Sequence, residues 1–281
     1  MSRLVNKLKH EILRYKVIFH KFRYGLNNIP RKEKIIISMT TFPKRFENID
    51  LCIKSLLLQT MKPDKIIIWL GSDSDEFMIS KYLRKYEKYG ITIFVDSDLN
   101  IKSHKKYYYA LNNYPNDIII TVDDDLIYPF DMVESLYNMY LKYPKCIVGR
   151  RVHKITFENN KISKYNNWIT ECNDTLIPSN QLFITTGAGT LFPPYLKKDD
   201  LLNVELMMKY APTADDVWIN LISIKNNVKR VWAPNNLQMP TTIKKSQHFS
   251  LVKKNVEENY NDIYIEKIVN DFNIKIDLVK K

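Results

Sequence analysis

The sequence predicts an α/β protein built on a mostly parallel sheet flanked by helices, and three observations carry that expectation. Short apolar runs rich in isoleucine recur at 34–39, 65–70, 91–95 and 117–122, each the length of a buried strand. Segments with apolar residues at helical spacing fill the intervals, the alternation that a parallel sheet requires. The fourth run ends in Asp123, Asp124 and Asp125, so polar residues gather at a strand tip, where open parallel sheets bind ligands.

Residues 3–24 read as a helix because Leu4, Leu8, Ile12, Tyr15, Phe19 and Phe22 recur every three or four positions, with lysines and arginines between them. Such a basic amphipathic helix suits an anionic membrane surface; a seat on the domain or on a partner through the apolar stripe is the alternative. Gly25 and Pro30 bracket a linker, which makes 1–30 a first unit. The first strand, 34–39, is followed by a helix over 47–58 with Ile49, Cys52, Ile53, Leu56 and Leu57 inward. The second strand, 65–70, leads through a helix over 75–89 to the third, 91–95, and a helix over 103–113 precedes the fourth. Beyond Pro129 the pattern gives a helix over 130–142, a strand near 146–152, and hairpin and loop over 153–180. A strand at 181–185, a tight turn at Gly187 and Gly189, and a helix from Asp215 complete a domain spanning 31–240, with 241–281 a helical extension.

Composition narrows the classes of function. With 45% hydrophobic and 26% charged residues the chain is globular, and its 281 residues suffice for a substantial core. Cys52, Cys146 and Cys172 are too few and too scattered for a disulfide framework or a zinc site, so buried thiols and a reducing, cytoplasmic setting are expected. No apolar run approaches the ~18–20 residues of a membrane span, and the basic N-terminus lacks the apolar core and cleavage site of a signal peptide. The net charge is +12, but ten Lys or Arg against two Glu in residues 1–34 place +8 of it there, leaving +4 over the other 247. A nucleic-acid groove would spread its basic residues over a folded face, so no nucleic-acid partner is expected.

Three adjacent carboxylates delivered to one point by an uncharged strand repel one another unless a cation sits among them. Hard oxygen ligands suit a divalent ion, and such an ion commonly also neutralises a phosphate. Asp215 and Asp216 open an apparent helix, where a carboxylate either caps the helix N-terminus or accepts a proton. Gly187 and Gly189 either let the backbone approach a ligand or simply make a tight turn.

The order of these features resembles the GT-A class of nucleotide-sugar glycosyltransferases, in particular the bacterial family-2-like enzymes of surface polysaccharide synthesis. The first strand followed by Ser55 to Gln59 and Thr60 looks like that family's first strand and its Ser-x-x-x-Gln-Thr helix end. Ile66 to Asp73 is similar to its second strand and acidic turn, and Asp123-Asp124-Asp125 to its Asp-x-Asp signature. Asp215-Asp216 falls where the family carries its catalytic Glu-Asp or Asp-Asp pair. The resemblance covers about residues 34–235.

It implies a sugar moved from a nucleoside diphosphate, UDP-linked, to a glycan or lipid-linked acceptor with inversion, on the inner face of the plasma membrane. It implies Mn²⁺ or Mg²⁺, with Asp125 the principal ligand, Asp123 on the metal or the ribose, and Asp124 shaping the turn or touching the sugar. Asp216 aligns with the base and Asp215 would orient the acceptor; aspartate in place of the usual glutamate leaves the division between them open. Thr41 and Arg45, with Thr40, lie where a nucleotide would sit, Asp73 could reach the base, and Lys105 or Lys106 the phosphates. Gly187 and Gly189 would face the donor, and His248 is either a third metal ligand or a surface or core histidine. Trp168, Trp218 and Trp232 are expected in the core. Two other functions compete. A sugar-phosphate nucleotidyltransferase would carry a glycine-rich loop after the first strand, which Ser38 to Arg45 lacks. A lectin-like scaffold gives the three aspartates no purpose.

Overall fold

The computed structural model describes residues 3–20, 24–95, 99–196, 198–234, 239–243, 255 and 258–276. After helix α1 (Arg3–Phe19) come strand β1 (Ile35–Thr40), helix α2 (Asp50–Leu57), β2 (Lys65–Leu70), α3 (Glu76–Tyr82), β3 (Ile91–Val95), α4 (Lys105–Asn113) and β4 (Ile118–Thr121). The second half adds β5 (Leu126–Ile127), α5 (Met132–Lys142), β6 (Ile147–Gly149), β7 (Val152–Lys154), β8 (Phe157–Glu158), β9 (Lys161–Ile162), β10 (Leu182–Ile184) and β11 (Thr190–Phe192). Helices α6 (Val204–Tyr210) and α7 (Asp215–Lys225), strands β12 (Arg230–Trp232) and β13 (Thr241–Thr242), and helix α8 (Tyr260–Asp271) follow.

Seven strands form the central sheet in the order β12-β6-β11-β4-β1-β2-β3. All pair in parallel except β11, which runs antiparallel between β4 and β6. The strand side chains alternate between two cores, one on each face. Ile35, Ile37, Met39, Ile118 and Ile120 pack with Cys52, Ile53 and Leu56 of α2 and with Met132, Val133 and Leu136 of α5. Ile36, Ile67 and Ile119 pack with Tyr107 and Leu111 of α4, Trp218 of α7 and Ile265 and Ile268 of α8. Burial on both faces is why these strands read as continuous apolar runs.

Several boundaries differ from the sequence reading. The expected helix over 75–89 is α3, capped by Asp75 accepting from the Met78 amide at 2.9 Å, and then a 3₁₀ segment, Arg84–Tyr89. The helix over 47–58 is preceded by a 3₁₀ turn, Pro43–Asn48, with proline at its start, and the strand near 146–152 divides into β6 and β7, on different sheets. Strand β11 and helix α6 were not foreseen; β11 is three residues long and follows a glycine turn, too short for a periodicity signal. Cys52, Cys146 and Cys172 are all buried free thiols, and Trp168 and Trp218 are buried. Among the described residues no helix is long and apolar enough to cross a membrane.

Helix α1 seats itself unexpectedly. It docks on α2 through Leu13 and Val17, both buried in the first core. At ~100° per residue those two lie roughly opposite the expected stripe, and Leu8, Ile12, Tyr15 and Phe19 remain exposed.

Candidate active site

The carboxyl ends of β1, β2 and β4 share one edge of the sheet, with Thr40 beside Trp69 and Ser38 beside Thr121. Because β11 runs the other way, the turn that precedes it arrives at the same edge, Thr190 pairing with Thr121. These segments open on a cavity of about 740 Å³. Of the residues singled out from the sequence, Thr40, Thr41, Arg45, Asp73, Lys106, Asp123, Asp124, Asp125, Gly187, Asp215 and Asp216 line it. Gly189 does not: it is buried with φ +106°, a left-handed turn position packed near Met132. His248 lies outside the described residues.

The Ser55–Thr60 segment anchors the chain beyond the aspartates. Ser55 Oγ accepts from the Tyr128 amide at 3.0 Å, and Gln59 donates to the Pro129 carbonyl at 3.0 Å and accepts from the Val133 amide at 3.0 Å. The Tyr128 hydroxyl in turn accepts from the Asp123 amide at 2.7 Å and donates to the Gly187 carbonyl at 2.6 Å. Asp123 and the glycine turn are thereby held together so closely that a Cβ on Gly187 would stand 2.5 Å from Asp123 Oδ2. Glycine is required there by the approach itself.

The three aspartates have unequal surroundings. Asp124 is 5% exposed and ion-paired with Arg45, which offsets its charge at the edge of the cavity. Arg45 also reaches Asp125 at 3.3 Å. Its expected role on a nucleotide is therefore revised: the guanidinium supplies part of the positive charge that the acidic run demands. Burial, then the charge of Asp123, pushes the Asp125 carboxyl up to about 6 despite Arg45.

Lys106 departs further from expectation. Its side chain is 3% exposed, and Nζ lies 2.6 Å from Asp123 Oδ1 and 3.0 Å from Asp215 Oδ2, with Thr186 Oγ1 at 3.2 Å. Burial opposes its charge, but the two carboxylates hold it protonated beyond the ordinary lysine range. Lys106 thus joins the strand-tip aspartates to the helix-start pair, and its ammonium is committed to carboxylates. Lys105 is the lysine nearer the second strand's turn: a Cβ on Gly71 would meet its Nζ at 2.6 Å and Asp73 Oδ1 at 2.8 Å.

The two carboxylates at the start of α7 are separated by their neighbours. Burial alone would raise Asp215, but Lys106, His104 and the hydroxyl of Thr186, which donates at 2.9 Å, hold it below its ordinary value. Lys106 also acts on Asp216, but burial and the charge of Asp215 outweigh it and push Asp216 up to about 7. Its Oδ1 accepts from the Val217 amide at 2.9 Å. Environments that drive two adjacent carboxyls apart are how acid and base roles are divided, and of this pair it is Asp216 that is pushed toward neutrality.

Several lining residues carried no signal. Arg151, His153, Tyr165, Thr213 and Asn261 are among the other residues of its wall. Arg150 and Arg151 follow strand β6, and a cationic pair at a strand end could have flagged them. Arg150 is buried on Asp131 at 3.0 Å, whereas Arg151 donates to Thr185 and no carboxylate of the described residues lies within ion-pair distance of it. Asn261 lies on an amphipathic helix, where a polar residue is unremarked.

Among the described residues no group of three His, Cys, Asp or Glu side chains is placed to hold a metal by itself. The lining carboxylates Asp123 and Asp125 nevertheless offer hard oxygens, and the raised Asp125 records like charge that a cation would relieve. Such a pair fits an ion of the Mg²⁺ type, which is usually held by one or two carboxylates together with substrate phosphates.

A family model described as Glycosyl transferase family 2 matches residues 36–198, more than half of the chain. No curated protein sequence matches the chain. Among solved structures it is similar to a mannosyltransferase from Pyrobaculum calidifontis in complex with GDP-Man and Mn²⁺, with 11% identity and a TM-score of 0.44. That similarity covers 84% of this chain and 65% of the other, so the chain spans just under two thirds of its length.

Proposed function

Since the chain belongs to glycosyl transferase family 2, we propose that it moves a sugar from a nucleoside diphosphate, UDP-linked, to a hydroxyl of a glycan or lipid-linked acceptor, with inversion, in bacterial surface polysaccharide synthesis. The observation that supports this most is the division of labour within one cavity: Asp123 and Asp125 at the strand tip, and Asp216, ionising near 7, at the start of α7.

Asp216 takes the proton of the acceptor hydroxyl as that oxygen attacks the anomeric carbon. The bond from this carbon to the diphosphate oxygen breaks, and its electron pair leaves with the nucleoside diphosphate. Asp123 and Asp125 are the residues that would hold an Mn²⁺ or Mg²⁺, and such an ion would supply Lewis-acid stabilisation of that departing charge. Asp215, fixed by Lys106 and Thr186, keeps the start of α7 aligned and its charge favours the protonated form of Asp216. Thr40, Thr41 and Asp73 sit at the other end of the cavity, where the nucleoside belongs. Nucleotide release from a panel of UDP-, GDP- and CMP-sugars, with Mn²⁺ or Mg²⁺, tests the reaction class. Turnover is expected with a UDP-sugar, and silence across all donors would sink the proposal.

The enzyme works on the cytoplasmic face of the membrane, peripherally. Support comes from α1, whose Leu8, Ile12, Tyr15 and Phe19 are exposed while Leu13 and Val17 dock it on the domain. By helical geometry Lys9 and Lys16 border the exposed stripe on one side and Arg14 on the other. Apolar contact and attraction to anionic lipid then act on the same surface. Replacing the exposed Leu8, Ile12, Tyr15 and Phe19 by serine, with Leu13 and Val17 kept, should release the protein from phosphatidylglycerol vesicles and leave donor hydrolysis intact. Equal sedimentation of both forms with vesicles would remove the membrane assignment.

A further inference from the structure

Building on the transferase reading, we infer that the wall formed by Asn261, Tyr165 and His153 is the acceptor subsite, and that it takes the hydroxyls of a neutral sugar ring. Asn261 stands in the first turn of α8 and is 3% exposed. It lines the cavity, and its Oδ1 has no hydrogen-bond partner among the described residues. A buried amide oxygen without a donor is costly and rare in native proteins. A ligand hydroxyl entering the cavity is the donor that this position lacks.

The neighbouring groups suit the same ligand. His153 Nδ1 accepts from the Glu171 amide at 3.1 Å, which leaves Nε2 as the protonated nitrogen of the neutral ring. Burial and the charge of Arg151 push this histidine down to about 4, so it stays neutral at physiological pH. The Tyr165 ring meets His153 edge-on and Trp168 at a tilt, and this half-buried tyrosine lines the cavity. One acceptor, one neutral donor and an aromatic ring are the fittings of a site for a polyhydroxylated ring.

The wall is tied to the base. The Tyr165 amide donates to Asp262 Oδ1 of α8 at 2.7 Å. Thr213, two residues before Asp215, donates to Asn255 Oδ1 at 3.0 Å, and Asn255 returns a bond to the Thr213 carbonyl at 2.7 Å. The Tyr264 hydroxyl of α8 meets Thr213 at 3.2 Å. The charge of Asp216 also reaches the Tyr165 phenol, raising it after burial has done so. A sugar held by Asn261 and Tyr165 therefore lies beside Asp216. The competing acceptor chemistry is a lipid phosphate, whose oxygen is already deprotonated and has no need of a base ionising near 7.

The test uses the full chain with whichever nucleotide-sugar it hydrolyses, and offers either a panel of methyl hexopyranosides or a short isoprenyl phosphate. At least one methyl hexopyranoside is expected to accelerate nucleotide release and to appear glycosylated by mass spectrometry. Asn261→Ala should then raise KM for that sugar ~10-fold, a single lost hydrogen bond to a buried group, and leave the nucleotide Kd unchanged. Asn261→Asp, which keeps the oxygen, should restore much of the affinity. Transfer to isoprenyl phosphate alone, an unchanged KM in Asn261→Ala, or an equal loss of nucleotide affinity would each overturn the inference. Absence of donor turnover in the wild type would instead strike the transferase reading, and the inference would fall with it.

Discussion

Asp216→Asn should lower transfer by about 10²–10⁴-fold, the range that a positioned general base contributes, while making the protein more stable above neutral pH. Both effects come from one environment. Burial and Asp215 hold the Asp216 carboxyl at about 7 when folded, against roughly 4 in an unfolded chain. The folded state binds this proton more tightly, so the carboxyl's contribution is fully favourable below about pH 4 and is lost as pH rises through 7. At pH 8 the neutral amide avoids that loss, worth on the order of 2–4 kcal/mol. Thermal melts should show a higher Tm for the variant at pH 8 and little difference at pH 4.

The wild-type rate should rise with pH and level off above about 7, and the residual rate of Asp216→Asn should lack that rise. Lower stability of the variant at pH 8 would mark the carboxylate as a structural cap. Asp215 has the opposite sign: its lowered value means that ionised Asp215 stabilises the fold above about pH 4, so Asp215→Asn should melt earlier.

Lys106→Met is the second large effect. It leaves the buried Asp215 and the partly exposed Asp123 around a missing cation; breaking a fully buried pair from one side typically costs about 3–5 kcal/mol, and the exposure of Asp123 puts the loss below that. The loss should appear as a reduced Tm at pH 7 and shrink as the medium is acidified toward the carboxylates' ordinary range. Combining Lys106→Met with Asp215→Asn should recover a large part of it, because one of the two stranded charges is removed, and a double-mutant cycle measures that coupling. Additive losses in the double variant would show that Lys106 does not act through Asp215. Lys106→Arg is no safe control, since a planar guanidinium cannot occupy the space of a point charge among three oxygens.

What the sequence could announce was whatever depends on local pattern. Parallel strands buried on both faces are uniform apolar runs, so β1 to β4 were legible and the acidic tip of β4 fell at the ligand-binding edge. The pairing of Asp215 and Asp216 with a helix start was legible too, because a helix announces its own beginning. Cations that neutralise the acidic run were not. Arg45 and Lys106 come from separate segments and meet Asp123, Asp124, Asp125 and Asp215 only through tertiary packing, so a metal was the simplest compensation that the sequence suggested. Lysine on an amphipathic helix ordinarily points to solvent, and Lys106 does the reverse. The seat of α1 was misread for a related reason: six apolar positions outweighed Leu13 and Val17 in the pattern, yet those two make the contact. Asn261 and Tyr165 carry meaning only once α8 is folded back against the loop before α7.

Isothermal titration of UDP, with and without Mn²⁺, into wild type and Asp125→Asn tests the central claim most directly. Asp125 reaches Arg45 at 3.3 Å and lines the cavity where a diphosphate would lie. The expected result is tight UDP binding that requires Mn²⁺ in the wild type and falls at least ~10-fold in Asp125→Asn, as loss of a charge-bearing ligand implies. Binding of equal strength with and without Mn²⁺, unaffected by Asp125→Asn, would contradict a metal-assisted nucleotide-sugar site at the tip of β4.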